Sequence, residues 1–143
     1  MSRQRFVVDS SVFASVVVKD AFHERASRFL RRTDVELATL DLAFIEVFNA
    51  LWKHAYLLRR LSEEQCFALK RLVKPLILNS VARVYGSLDL LEEALEDAAR
   101  YEVTVYDALY VSLALKLEAK LASFDEELRS RLEGRGLKVV VAP

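Results

Sequence analysis

The apolar positions change their period along the chain, and the changes mark out its elements. "RQRFVVD", residues 3–9, is a β-branched and aromatic run that predicts a short strand, and "VELATL", residues 35–40, predicts a second. Between them, "SVFASVVV" fits strand and helix equally well. Phe22, Ala26, Phe29 and Leu30 recur at helical spacing. Residues 41–60 read as a long helix. Ser62 and Gln65 form a capping box that opens another, and Pro75 is expected to end it. Residues 76–86 show no clear pattern. A helix is expected from Ser87 to Tyr101, with Leu88, Leu91, Leu95 and Ala98 along its apolar face, and another over 105–119. "KLASF" reads as a strand, "DEELRSRLEGRG" as a helix closed by glycine, and "LKVVVA" as a last strand. Apolar strands alternating with helices predict an α/β domain with a parallel sheet. Three glycines and two prolines leave no linker, so residues 1–143 read as a single domain.

Four carboxylates interrupt this pattern. Asp9 ends the first apolar run. Glu46 sits inside "LAFIEVFNALW", Asp107 inside "VTVYDALYVSLAL", and Asp125 follows "LASF". A buried, unpaired charge is costly, so such a residue shifts its pKa, finds a partner or binds a metal. Three of the four have ordinary explanations. Asp9 and Asp125 can cap the helices after them, and Thr104 with Asp107 fits a capping box. Glu46 is too far into its helix to cap it, and Asn49, one turn on, shares its face. In a parallel sheet, ligands bind beyond the carboxyl ends of the strands, and all four acids are expected at that edge. Carboxylates gathered there repel one another, and a divalent cation is the usual remedy. Oxygen donors without a nearby Cys or His favour Mg²⁺ or Mn²⁺, which can activate water and steady charge on a phosphodiester.

Composition narrows the classes. Hydrophobic residues make up 53% of the chain, enough for a sizeable core, and the formal net charge is zero, so no global basic signal points to nucleic acid. The zero hides a basic middle, with Lys53, Arg59, Arg60, Lys70, Arg71, Lys74 and Arg83, and an acidic later part. Some of the middle bases could face a phosphate backbone, although solvated helix faces are the commoner role. One cysteine, Cys66, rules out an internal disulfide and a cysteine-rich zinc site. The N-terminal apolar run is too short for a signal peptide, and no stretch reaches the ~20 apolar residues of a membrane helix, so the reading is a cytoplasmic protein. His23 and His54 lack metal-ligand spacing. Tyr106, Tyr110 and Trp52 read as core or interface residues.

These segments resemble the PIN domain, and most closely its VapC-type toxin ribonucleases, from Phe6 to Val141. "VVDSSVFA" resembles the opening strand of that family, with Asp9 and the hydroxyl residue Ser10. "FIEVFNAL" resembles its second motif, Glu46 followed by Asn49. "VYDALYVSLAL" is similar to the third, with Asp107, and "LASFDEEL" to the fourth, with Ser123 and Asp125. The resemblance implies a three-layer α/β/α domain with a central, mainly parallel five-stranded sheet. It implies Mg²⁺- or Mn²⁺-dependent cleavage of RNA, with Asp9, Glu46, Asp107 and Asp125 as metal-holding acids and Ser10, Asn49 and Ser123 in support. It also implies a homodimer and a separately encoded antitoxin partner. Two other readings stay open: a non-catalytic PIN-fold interaction protein, and a housekeeping RNA-processing nuclease. A phosphatase or receiver domain would carry a second close acid in the first motif, which "VVDSSV" lacks. A phosphate-binding P-loop is absent.

Overall fold

The computed structural model describes residues 3–143 and contains one five-stranded sheet, all parallel, in the order β3-β2-β1-β4-β5. The strands are β1 (Gln4–Val8), β2 (Val35–Leu40), β3 (Arg83–Tyr85), β4 (Lys120–Ala122) and β5 (Val140–Val141). Residues 1–2 of the expected domain lie outside this description. Helices α1 (Ser10–Val18), α2 (His23–Leu30), α3 (Leu42–Trp52), α4 (Glu63–Leu69) and α5 (Val73–Ser80) connect the first three strands. Helices α6 (Leu91–Tyr101) and α7 (Val105–Lys116) return the chain to β4, and α8 (Glu126–Gly134) leads to β5. Right-handed crossovers put the helices of the outward run on one face of the sheet and those of the return run on the other. Accordingly α1 packs with α2, α3 and α5, while α6 and α7 pack together and α7 contacts β1 and β4.

The strands carry continuous apolar runs because both faces of the inner sheet are covered. Val7, Val8, Leu40, Leu121 and Ala122 are completely buried. Thr39 is the buried polar residue of β2, and its hydroxyl is satisfied by donating to the Val8 carbonyl at 2.6 Å. The ambiguous "SVFASVVV" is helical: Asp9 caps it, and Val12, Phe13 and Val17 fill the core from one side. Residues 76–86 resolve into the end of α5 and the edge strand β3.

Three expectations need correction. The helix expected over 41–60 begins at Leu42 and, after a wider π-type turn at Lys53–Leu57, gives way at Arg59, whose φ of 55° cannot continue it. The capping box at Ser62 and Gln65 forms, but Pro75 does not end that helix. α4 stops at Leu69, a 3-10 turn spans Lys70–Leu72, and Pro75 stands in the first turn of α5, where a missing N–H removes little. The leucine stripe Leu88, Leu91 and Leu95 faces solvent; α6 instead buries Ala94 and Ala98, preceded by Leu90. Small residues let α6 lie close to α7, which leaves the larger leucines outside.

Candidate active site

β1 and β4 are neighbours, yet the chain leaves β1 towards β2 and returns to β4 only after the whole outward run. The loops after the two strands therefore diverge, and the crevice between them is where a parallel sheet binds ligands. Asp9 follows β1 directly. Its backbone N–H donates to the Ala122 carbonyl at 3.1 Å, so it continues the β1–β4 pairing by one step. Its carboxylate caps α1: Oδ1 accepts from the Ser11 N–H at 3.0 Å and from the Ser11 hydroxyl at 2.5 Å. That same hydroxyl accepts from the Phe124 N–H at 3.0 Å, tying the exits of β1 and β4 together.

Asp9 is buried, and desolvation raises its pKa to about 7. Hydrogen bonds from Ser11 and Ser123 oppose the rise, and the charge of Glu46 adds to it. Glu46, half-buried on α3, is also raised, first by burial and then by the charge of Asp107. It is held from across the crevice: the Tyr110 hydroxyl on α7 donates to Oε1 at 2.7 Å. Ser10, at the start of α1, adds a further hydrogen bond. Burial and the charge of Glu46 push the Tyr110 phenol well above its ordinary value, so it keeps its proton and stays a donor. Asp107 stands in the first turn of α7 and is raised by burial and then by the charge of Asp125. Asp125 is exposed at the start of α8; its Oδ1 accepts from the Leu128 N–H and its own N–H donates to the Ser123 hydroxyl, each at 3.0 Å.

The four acids thus gather at one edge, where the charge of Glu46 acts on Asp9, that of Asp107 on Glu46 and that of Asp125 on Asp107. The ordinary capping roles expected for Asp9 and Asp125 are real. For Asp107 the cap uses its backbone, whose N–H donates to the Thr104 hydroxyl at 3.2 Å. Capping and charge coupling coexist because helix N-termini and carboxylates both belong at this edge.

Asn49 is exposed, one turn beyond Glu46. The group that grips Glu46 is Tyr110, which sequence reasoning reads as a core or interface residue. It is buried, and its function is visible only through its partner on another helix. The single available signal is its spacing of three from Asp107, which puts both on one helix face. Ser11 was likewise overshadowed by its neighbour Ser10. His54 Nδ1 donates to the Ala50 carbonyl four residues earlier, and Cys66 is buried, so both are structural.

Among the described residues, no three Asp, Glu, His or Cys side chains stand close enough to grip one bare ion. The donor set nonetheless fits a hard cation. It is oxygen only, partly buried and burdened by repulsion that a divalent charge relieves, and Mg²⁺ in particular retains waters that can bridge to carboxylates.

Replacing Tyr110 with phenylalanine tests its hold on Glu46. A hydrogen bond to a charged group contributes about 1.5–3 kcal/mol. Loss of the donor should lower the rate of cleavage roughly 10- to 150-fold and weaken Mn²⁺ binding, with the fold retained. Single-turnover rates and a Mn²⁺ titration check this; wild-type values for both would remove Tyr110 from the site.

A parallel sheet with a chain of acids beyond its central strands defines a class of acidic-site α/β domains. The chain belongs to the PIN domain family, whose profile matches residues 6–131. A relative, Ribonuclease VapC3 of Pyrobaculum aerophilum, is 38% identical over 129 residues, covering 89% of this chain and 94% of its own. Among solved structures, PAE2754 of the same organism is similar with a TM-score of 0.68 and 28% identity, covering 90% of this chain and 79% of its own. The fold is shared with Mycobacterium tuberculosis VapC20, described as a sarcin-ricin loop cleaving toxin, at a TM-score of 0.67 and 22% identity over 96% and 99% of the two chains. It is shared too with Rickettsia felis VapBC2, solved with a promoter DNA fragment, at a TM-score of 0.57 and 11% identity over 98% of each chain.

Proposed function

We infer that this protein is a VapC-type endoribonuclease whose gathered carboxylates hold Mg²⁺ or Mn²⁺. The observation that carries the reading is the chain of coupled acids, Asp9 to Asp125, drawn from four separate segments onto one edge. Asp9, Glu46 and Asp107 would hold the cation, with Asp125 completing the set from its exposed position. When bound, it supplies an activated water and charge neutralisation at the phosphodiester. The chain's own residues prepare that chemistry. Ser11 and Ser123 fix Asp9, Tyr110 and Ser10 fix Glu46, and burial excludes bulk water from Asp9. Asn49, exposed one turn beyond Glu46, would orient a ligand or water. The domain reading extends to the whole chain, 1–143.

Two exposed apolar surfaces support protein partners. On α3, Ile45, Phe48 and Trp52 are exposed on either side of Glu46, which suits an antitoxin segment covering the site. On the opposite layer, Leu88, Leu91 and Leu95 suit a homodimer contact. The described residues contain no helix long and apolar enough to cross a membrane.

The test is a panel of fluorescent RNAs incubated with the protein in EDTA, Mg²⁺ or Mn²⁺. Cleavage only with metal is the expected result. Cleavage that persists in EDTA would contradict the metal site, and binding without cleavage under every metal would favour the interaction-protein reading.

A further inference from the structure

The two halves of the sheet are covered unequally. The crossovers that place α6, α7 and α8 on one face leave the β4–β5 half of the other face without a helix of its own. α2 alone borders it. The result is a groove of about 540 Å³, floored by Phe6, Val141 and neighbouring residues of the sheet edge. Its wall is basic. Arg25, Arg28 and Arg32 recur at helical spacing along and just past α2, and Lys120 faces them from β4. No acid lines it. Arg32 has a carboxylate partner, Asp34, at 2.8 Å on the exposed rim, while Arg25 donates to the Pro143 carbonyl and Lys120 to the Lys138 carbonyl, each at 2.9 Å. The Lys138 carbonyl leaves the charge of Lys120 uncompensated, and no ion pair among the described residues takes up Arg28. In a chain of zero net charge, such a cluster is a local feature and not a reflection of bulk basicity.

One end of the groove meets the acidic site. The Arg25 guanidinium lies 5.3 Å from the ring centroids of both Phe22 and Phe124, which stack on each other at 4.4 Å. Phe124 immediately precedes Asp125, and its N–H is held by the same Ser11 hydroxyl that clamps Asp9. Phe22 is exposed, so one member of the aromatic pair is partly open to solvent.

We propose that this groove is the track for the RNA strand flanking the scissile phosphate. Arg28 and Lys120 would contact phosphates, and the Phe22–Phe124 pair, with Arg25 against it, would stack a base as the strand enters the site. Cations along a groove with an aromatic platform at its end are the recurring means of holding single-stranded nucleic acid without reading its sequence. The proposal rests on the ribonuclease reading, and it assigns RNA contacts to α2 and β4 instead of the basic middle of the chain.

The test is the affinity of a short fluorescent single-stranded RNA of mixed sequence, measured by anisotropy in EDTA across a salt series. Arg28→Ala/Lys120→Ala is compared with wild type and with Lys53→Ala/Arg59→Ala/Arg60→Ala. Arg28 and Lys120 are exposed and outside the acidic site, and a melting curve verifies the fold of each variant. The groove variant should bind on the order of tenfold more weakly, with a salt slope shallower by about 1.4, since each lost phosphate contact removes about 0.7. Arg28→Lys/Lys120→Arg should restore the affinity. Unchanged affinity and slope in the groove variant, with binding lost in the Lys53 variant, would overturn the proposal and leave the groove to a protein partner. Because binding is read without metal, failure of the groove is separate from failure of the nuclease: wild type cleaving the RNA panel with metal, while both groove proteins bind equally, would sink the track alone.

Discussion

Replacing Asp9 with asparagine is expected to abolish metal-dependent RNA cleavage and to leave the fold intact. Asparagine keeps the oxygen that accepts from the Ser11 N–H and hydroxyl, so the α1 cap and the link to Phe124 survive. What disappears is the anionic oxygen of the buried acid. Removing a group that holds a metal forfeits several kcal/mol of charge stabilisation, so a fall of about a thousandfold or more is expected. The comparison is the cleavage rate of the two proteins on one RNA in saturating Mn²⁺, with circular dichroism as the fold control. A variant that cuts at the wild-type rate would take Asp9 out of the site.

The metal-free protein should lose stability as pH rises from about 4 to about 7, the reverse of the usual behaviour of paired carboxylates. The sign follows from Asp9. Its folded pKa, about 7, lies above its unfolded value of 3.8, so the folded state binds the proton more tightly. The stability this contributes is whole below the unfolded pKa and is lost progressively as pH rises through the folded one. Three pH units at about 1.4 kcal/mol each set an upper scale of roughly 4 kcal/mol. Glu46 and Asp107 are raised as well and act in the same direction. In EDTA the melting temperature should therefore fall by on the order of ten degrees across this range, and Mn²⁺ should restore it at the alkaline end. Asp9→Asn should flatten the dependence. A melting temperature that climbs steadily with pH would contradict the arrangement of uncompensated acids.

Much of this is written in local pattern, and the exceptions share a cause. "VELATL" coincides with β2 because a mostly buried strand reads as an apolar run, interrupted here by the exposed Glu36 and the buried Thr39. The capping box at Ser62 is legible because every partner lies within three residues. Glu46 stands out because a carboxylate among Phe44, Ile45, Val47 and Phe48 is locally unexplained. Tyr110 is illegible for the opposite reason: a tyrosine in an apolar helix looks like core until Glu46, 64 residues away, is placed against its hydroxyl. The leucines of α6 mislead because burial there is decided by how close α7 comes, which favours Ala94 and Ala98 over Leu91 and Leu95. Pro75 misleads because proline both ends and begins helices, and only the 3-10 turn before it tells which. The basic groove is the plainest case of a tertiary feature. Arg25, Arg28 and Arg32 look like the solvated side of an amphipathic helix until the uncovered β4–β5 face appears opposite them.

The central claim is that the acids of this edge act together as one divalent-cation site. Calorimetric titration of the metal-free protein with Mn²⁺ near neutral pH, beside Asp9→Asn, tests it most directly. Saturable binding accompanied by proton release, and abolished in Asp9→Asn, is the predicted result. Absence of binding by the wild-type protein, or binding that Asp9→Asn leaves unchanged, would contradict it.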